Sequence, residues 1–124
     1  MATGVENLEV FKSAFWLAMS IYRISTVFPK EEKYSLTDQI RRSSRSVNAN
    51  LAEAYGKRRY PAHFISKLTD ADSENNETQI WLKFAFECNY LKKEDYEELN
   101  AKSKEIGRRL NYMIQNPQKF SIKL

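Results

Sequence analysis

Apolar residues recur along most of this chain at intervals of three and four, the spacing that gathers side chains on one side of an α-helix. A first segment is predicted over 5–28, where Leu8, Phe11, Phe15, Ala18 and Tyr22 form one stripe. Ala14, Leu17, Ile21, Ile24 and Phe28 form a second stripe beside it. Two adjoining stripes are wider than one partner helix covers, so this segment is either central in the core or turned in part toward another subunit. Pro29 ends it, because proline lacks the amide hydrogen and clashes with the preceding turn.

A second helix is predicted over 36–56. Ser35 precedes it as an N-cap whose hydroxyl can take a free amide, and Asp38 lies near the positive end of the helix dipole. Its seam of Leu36, Ile40, Ser43, Val47, Leu51 and Ala54 is narrow and rich in small residues, and Gly56 is its terminator. The third helix, 61–89, starts with Pro61 in its first turn and carries Phe64, Leu68, Ala71, Asn75, Thr78, Leu82 and Ala85. Asn89, tolerant of the left-handed conformation, closes it. The fourth, 94–115, opens on Glu94 and Asp95, keeps a seam of Tyr96, Leu99, Ser103, Ile106, Leu110 and Met113, and stops at Asn116-Pro117. Connections this short make neighbours antiparallel. The chain reads as an all-α, antiparallel up-down four-helix bundle, a single domain over 1–124.

Composition agrees with that pattern. Three glycines and three prolines in 124 residues leave little material for the tight turns of an all-β fold. The one cysteine, Cys88, excludes an internal disulfide framework and fits a reducing compartment. No apolar run approaches the roughly 18–20 residues of a membrane span. The N-terminus has acids where a secretory signal needs a basic and then an apolar stretch. A cytoplasmic protein without a membrane partner is the expectation.

Charge changes the picture more. The net charge is +4 and the sequence pI is near 9.2. Arg41, Arg42, Arg45, Lys57, Arg58 and Arg59 crowd into the segment from Leu36 to Arg59, where Asp38 and Glu53 are the acids. From Asp70 to Glu98, by contrast, nine acids face three lysines. Arg41 and Arg45 share a helix face with Asn48 next along it, and Lys57-Arg58-Arg59 follows at the end of the same helix. Such a stripe can contact successive phosphates, with Tyr55 and Tyr60 near enough in sequence to stack on exposed bases. The candidate nucleic-acid-binding residues are Arg45, Lys57, Arg58 and Arg59, with Arg108 and Arg109 on the fourth helix. The competing reading pairs some arginines with Asp70, Asp72, Glu74 or Glu77 of the third helix, and it is favoured for Arg42.

The third helix is polar at its centre, where Asp72, Asn75, Asn76 and Glu77 lie on or beside its bundle-facing stripe. Buried polar groups need partners. Gln39, Arg42, Asn50 and Glu53 on the second helix can supply them, which makes these residues and Glu77 a candidate polar network or subunit interface. A carboxylate-bridged metal bundle needs Glu-x-x-His on each of two helices. The only histidine, His63, lies about three turns from Glu74. No metal or cofactor is expected. Cys88 is expected to be a small buried hydrophobe, His63 a solvated first-turn residue, and Trp16 and Trp81 core or interface anchors. Without a triad or a glycine-rich phosphate loop, an enzyme is not expected.

The stretch from Tyr34 to Ala54, with Gln39, Arg41, Arg42, Ser46, Asn50, Ala52 and Glu53 at the matching positions, resembles the signature of the four-helix-bundle 23S rRNA intervening-sequence protein family. The segments Ala71 to Leu82, Cys88 to Leu91 and Met113 to Phe120 resemble its third helix, the turn that follows and the tail of one branch. Ala54 and Asn89 depart from it, since glycine is usual at both places. The resemblance implies a bacterial cytoplasmic bundle that assembles into a ring, often a pentamer, with some members encoded inside sequences inserted in 23S rRNA genes. The expectation is a non-enzymatic homo-oligomer that binds RNA through basic helix ends. The alternative is a protein-interaction scaffold that uses its basic residues in ion pairs and subunit contacts. A small-ligand bundle would need an open pocket around Asn75 and Glu77.

Overall fold

The period of three and four is realised as four long helices: α1 (Glu9–Ile24), α2 (Leu36–Gly56), α3 (Pro61–Glu87) and α4 (Lys93–Gln115). The structure is a computed structural model and describes residues 4–121. Single 3-10 turns at Val5–Asn7, Ser25–Val27, Lys30–Glu32 and Pro117–Lys119 flank or join the helices. Cross-helix contacts fix the directions. Asn48 of α2 reaches the Phe11 carbonyl early in α1, while Arg41, earlier in α2, reaches Ser25 just past its end. Ser43 meets Thr78 and Glu53 meets Lys67 between α2 and α3. Asp72 meets Asn111 and Phe86 stacks on Tyr96 between α3 and α4. Each pair runs in opposite senses, and because α1 and α3 each pack on both α2 and α4, α1 and α3 occupy diagonal corners, as do α2 and α4.

The predicted seams of α2 and α3 are the buried ones, and so is that of α4 from Leu99 on, with Tyr96 partly buried against the core. In α1 the buried set is Val10, Ala14, Leu17, Ala18 and Ile21, whereas Phe15 and Trp16 remain 55% and 41% exposed. The wide apolar face of α1 therefore spills outside the core.

Several boundaries differ from the sequence reading. The first segment is not one helix over 5–28: Leu8 is extended, and after Ile24 the chain tightens into a 3-10 turn. The Ser25 and Thr26 hydroxyls donate to the Tyr22 and Arg23 carbonyls at 3.1 and 2.7 Å, local bonds that compete with helix propagation. Ser35 does not cap α2 with its side chain. Its hydroxyl donates instead to Glu32 Oε1 at 2.6 Å, and that carboxylate takes the Leu36 amide. The α3 helix stops at Glu87 rather than 89, and Asn89 adopts the left-handed φ of 63°. The Tyr90 amide then reaches back to the Ala85 carbonyl at 2.8 Å, which satisfies an end-of-helix acceptor.

Candidate nucleic-acid interface

The cations of this region fall in two groups, Arg41 and Arg45 within α2 and Lys57 to Arg59 just past its C-terminal end. Arg41 is half-buried: Nε donates to Ser25 Oγ at 2.8 Å, Nη2 to the Tyr22 carbonyl at 3.4 Å, and the guanidinium lies 4.8 Å from the Tyr22 ring. Arg45, one turn on, is exposed over the same ring at 5.8 Å. Asn48, placed by spacing beside them, turns to the Phe11 carbonyl instead. At the far end Arg58 stacks on Tyr55 at 3.6 Å and donates to its carbonyl at 2.8 Å, while Lys57 and Arg59 point into solvent. Twelve residues separate Arg45 from Lys57, the C-cap of α2, about 18 Å along the helix axis.

Arg108 and Arg109 lie late in α4, at the same end of the bundle as Lys57–Arg59 but on the diagonal corner. Both are exposed. They border a groove of about 500 Å³ floored by Leu8, Met113 and Phe120, and Arg109 Nε contacts Glu105 at 3.3 Å. The fold thus does not merge them with the basic end of α2. Among the described residues Arg45, Lys57, Arg58, Arg59 and Arg108 have no carboxylate partner within ion-pair distance, and Arg109 has one.

The polar network differs from the expected one. Its buried members are Asn75 and Ser103, joined by Asn75 Nδ2 to the Ser103 carbonyl and Ser103 Oγ to Asn75 Oδ1, both 2.8 Å, and Thr78 with Ser43 at 2.8 Å. Small hydroxyl residues at seam positions 43 and 103 were the sequence signal for these partners. Gln39, Arg42, Asn50, Glu53 and Glu77 sit outside it. Arg42 reaches Asp38 of its own helix at 3.8 Å rather than an acid of α3. Asn50 donates to the Ser46 carbonyl, Glu53 pairs with Lys67 at 2.7 Å, and Glu77 accepts from the Trp81 indole at 3.1 Å. Each of these four pairings is local or lies on the outer rim, because the α2 and α3 seams approach too closely for long side chains between them. Burial raises the Asp72 and Glu74 carboxyls above their ordinary range, with Glu77 adding to the effect on Glu74. The centre around Asn75 is filled by side chains, so the pocket that a small-ligand bundle would need is not there. Among the described residues no cluster of His, Cys, Asp or Glu could hold a metal ion, and no helix is long and apolar enough to cross a membrane.

Cys88 is exposed, contrary to its expected burial, because it follows the last turn of α3. It lines an apolar groove with Gln39, Trp81 and Phe84. Ile80 and Phe84 continue that face along α3, with Phe84 55% exposed.

A family model described as 23S rRNA-intervening sequence protein matches residues 6–112. A crystal structure from Bacteroides thetaiotaomicron VPI-5482, described as a protein with unknown function from the S23 ribosomal protein family, superposes with a TM-score of 0.77 and is 34% identical. The match covers 86% of this chain and 95% of that one. No curated protein matches the sequence.

Proposed function

This chain belongs to the 23S rRNA-intervening sequence protein family, and on that footing we propose that it is a non-enzymatic, cytoplasmic bundle that self-associates and holds RNA by its phosphate backbone. The observation that carries this reading is that Arg45, Lys57, Arg59 and Arg108 are exposed and, among the described residues, have no carboxylate within ion-pair distance. Charges left unneutralised in this way attract a polyanion irrespective of its sequence. Arg58, held flat on Tyr55, adds a guanidinium plane on which a base can stack. One subunit offers a small patch, and several copies in one assembly multiply it. The self-association half of the reading is supported by two unlike apolar faces, Phe15 with Trp16 on α1 and Ile80 with Phe84 on α3, at diagonal corners. Unlike faces on one molecule favour head-to-tail contact with a second copy, which closes into a ring when the rotation permits.

Replacing Lys57, Arg58 and Arg59 together by Ala tests the RNA half. Binding to unrelated single strands should weaken to a similar degree for each sequence. The slope of log affinity against log salt should flatten by about 2, at roughly 0.7 per lost phosphate contact. Unchanged affinity and slope would leave the scaffold reading, which the same exposed apolar faces favour. That reading expects assembled protein free of nucleic acid at physiological salt, so solution mass with the absorbance ratio of fresh material separates the two.

A further inference from the structure

We infer that RNA docks across one end of the bundle, from the cations that follow α2 to those late in α4, and that Lys119 is a phosphate contact on the way. This rests on the RNA reading above. The strand then lies over the end of the molecule rather than along the flank of α2 toward Arg45.

Charge selects that end. No acid occurs from Ala54 to Thr69 or from Ile106 to Ser121, the stretches that finish α2, begin α3 and finish α4. The acids just outside them are paired, Glu53 with Lys67 at 2.7 Å and Glu105 with Lys102 and Arg109 at 3.3 Å. Glu6 and Glu9 stand on the α1 corner, so the acid-free way across passes over the start of α3. At the opposite end of the bundle Glu94, Asp95, Glu97 and Glu98 outnumber Lys92 and Lys93 at the start of α4. A field with that direction turns a polyanion toward the basic end.

The turn Pro117–Lys119 occupies that way. Phe120, which follows it, lies against Phe64 of α3 and Tyr112 of α4, each at 6.4 Å between ring centres. Lys119 is exposed beside it: Nζ donates to the Tyr112 hydroxyl at 2.7 Å and lies 5.0 Å from that ring. Both partners are neutral, and among the described residues no carboxylate is within ion-pair distance of Lys119. An ammonium has three donors, so those beyond the one given to Tyr112 are left for a phosphate. Tyr60 and His63, exposed at the start of α3 and edge to face at 6.1 Å, add an aromatic surface for bases between the two cation groups. Neighbouring helix axes stand about 8–10 Å apart, which makes the diagonal from α2 to α4 about 11–14 Å. The rival course down α2 is about 18 Å long and reaches a single exposed cation on that flank. One and two turns past Arg45 it meets Ala49, Ala52 and the acid Glu53.

Fluorescence anisotropy of the full chain with a labelled oligouridine, over a range of salt, tests this course. Lys119→Ala should weaken binding several-fold and lower the slope of log affinity against log salt by about 0.7, the loss of one phosphate contact. Lys119→Arg, which keeps the charge, should bind as wild type does. Arg45→Ala should leave affinity and slope unchanged. No loss at Lys119, or a loss at Arg45 as large as that at Lys119, would overturn the end-on course while binding by the wild type still upheld the RNA reading. Wild-type protein that fails to retain the strand even at low salt would remove both.

Discussion

Glu32 joins three pieces of the chain through one carboxylate. Oε1 accepts from the Ser35 hydroxyl and the Leu36 amide, and Oε2 accepts from the Tyr90 hydroxyl at 2.9 Å beyond the end of α3. These bonds, Ser35 first and Tyr90 next, hold its carboxyl below the ordinary value of 4.5, while the bond to Glu32 pushes the Tyr90 phenol up to about 12. The two signs differ. A depressed carboxyl stabilises the fold above its ordinary value and loses that contribution as pH falls through the folded one. A raised phenol contributes below its ordinary 10.0 and loses it as pH rises toward about 12. Tyr90→Phe should therefore be less stable than wild type at pH 7, and the gap should narrow as pH drops below about 4.5 or rises past about 10. Urea unfolding across that pH range measures it, and a gap independent of pH would contradict the linkage. No spacing rule pointed to Glu32, because its role depends on a 3-10 turn and on a tyrosine 58 positions away.

At the scale of elements, the approach of α3 to α4 turns on Gly107. A Cβ there would meet Asn75 Nδ2 at 3.3 Å and Asp72 Oδ1 at 3.8 Å. Alanine in a helix is worth about 1 kcal/mol over glycine, and a flexible neighbour would let that gain appear. Asn75 cannot yield, since it is fully buried and both ends of its amide are tied to Ser103. Overpacking typically costs about 1–3 kcal/mol, so Gly107→Ala should destabilise the protein by about 1 kcal/mol net. In an Asn75→Ser background, where the crowding atom is gone, the same substitution should stabilise. A double-mutant cycle by chemical denaturation reads the coupling. The seams themselves were legible, because burial of a helical stripe follows from spacing alone. Which seam residue hydrogen-bonds which was not, since Asn75 and Ser103 meet only once α3 and α4 are in register.

At the scale of the whole molecule, the two apolar faces should mate between copies. Phe15→Glu or Phe84→Glu should each reduce the solution mass to that of a single chain, because a carboxylate in the contact has no partner. Each variant keeps one intact face, so mixing them should yield a one-to-one pair that neither forms alone; sedimentation of the mixture decides it. The sequence by itself determined the four helices, most of their buried seams and the concentration of positive charge on α2, since all of these are periodic or additive along the chain. Only the tertiary structure decided which cations remain unpaired and that Arg108 and Arg109 stand on the far corner from Lys57. The reason is physical: charge neutralisation and cavity shape depend on distances between segments, and those exist only after the helices have packed.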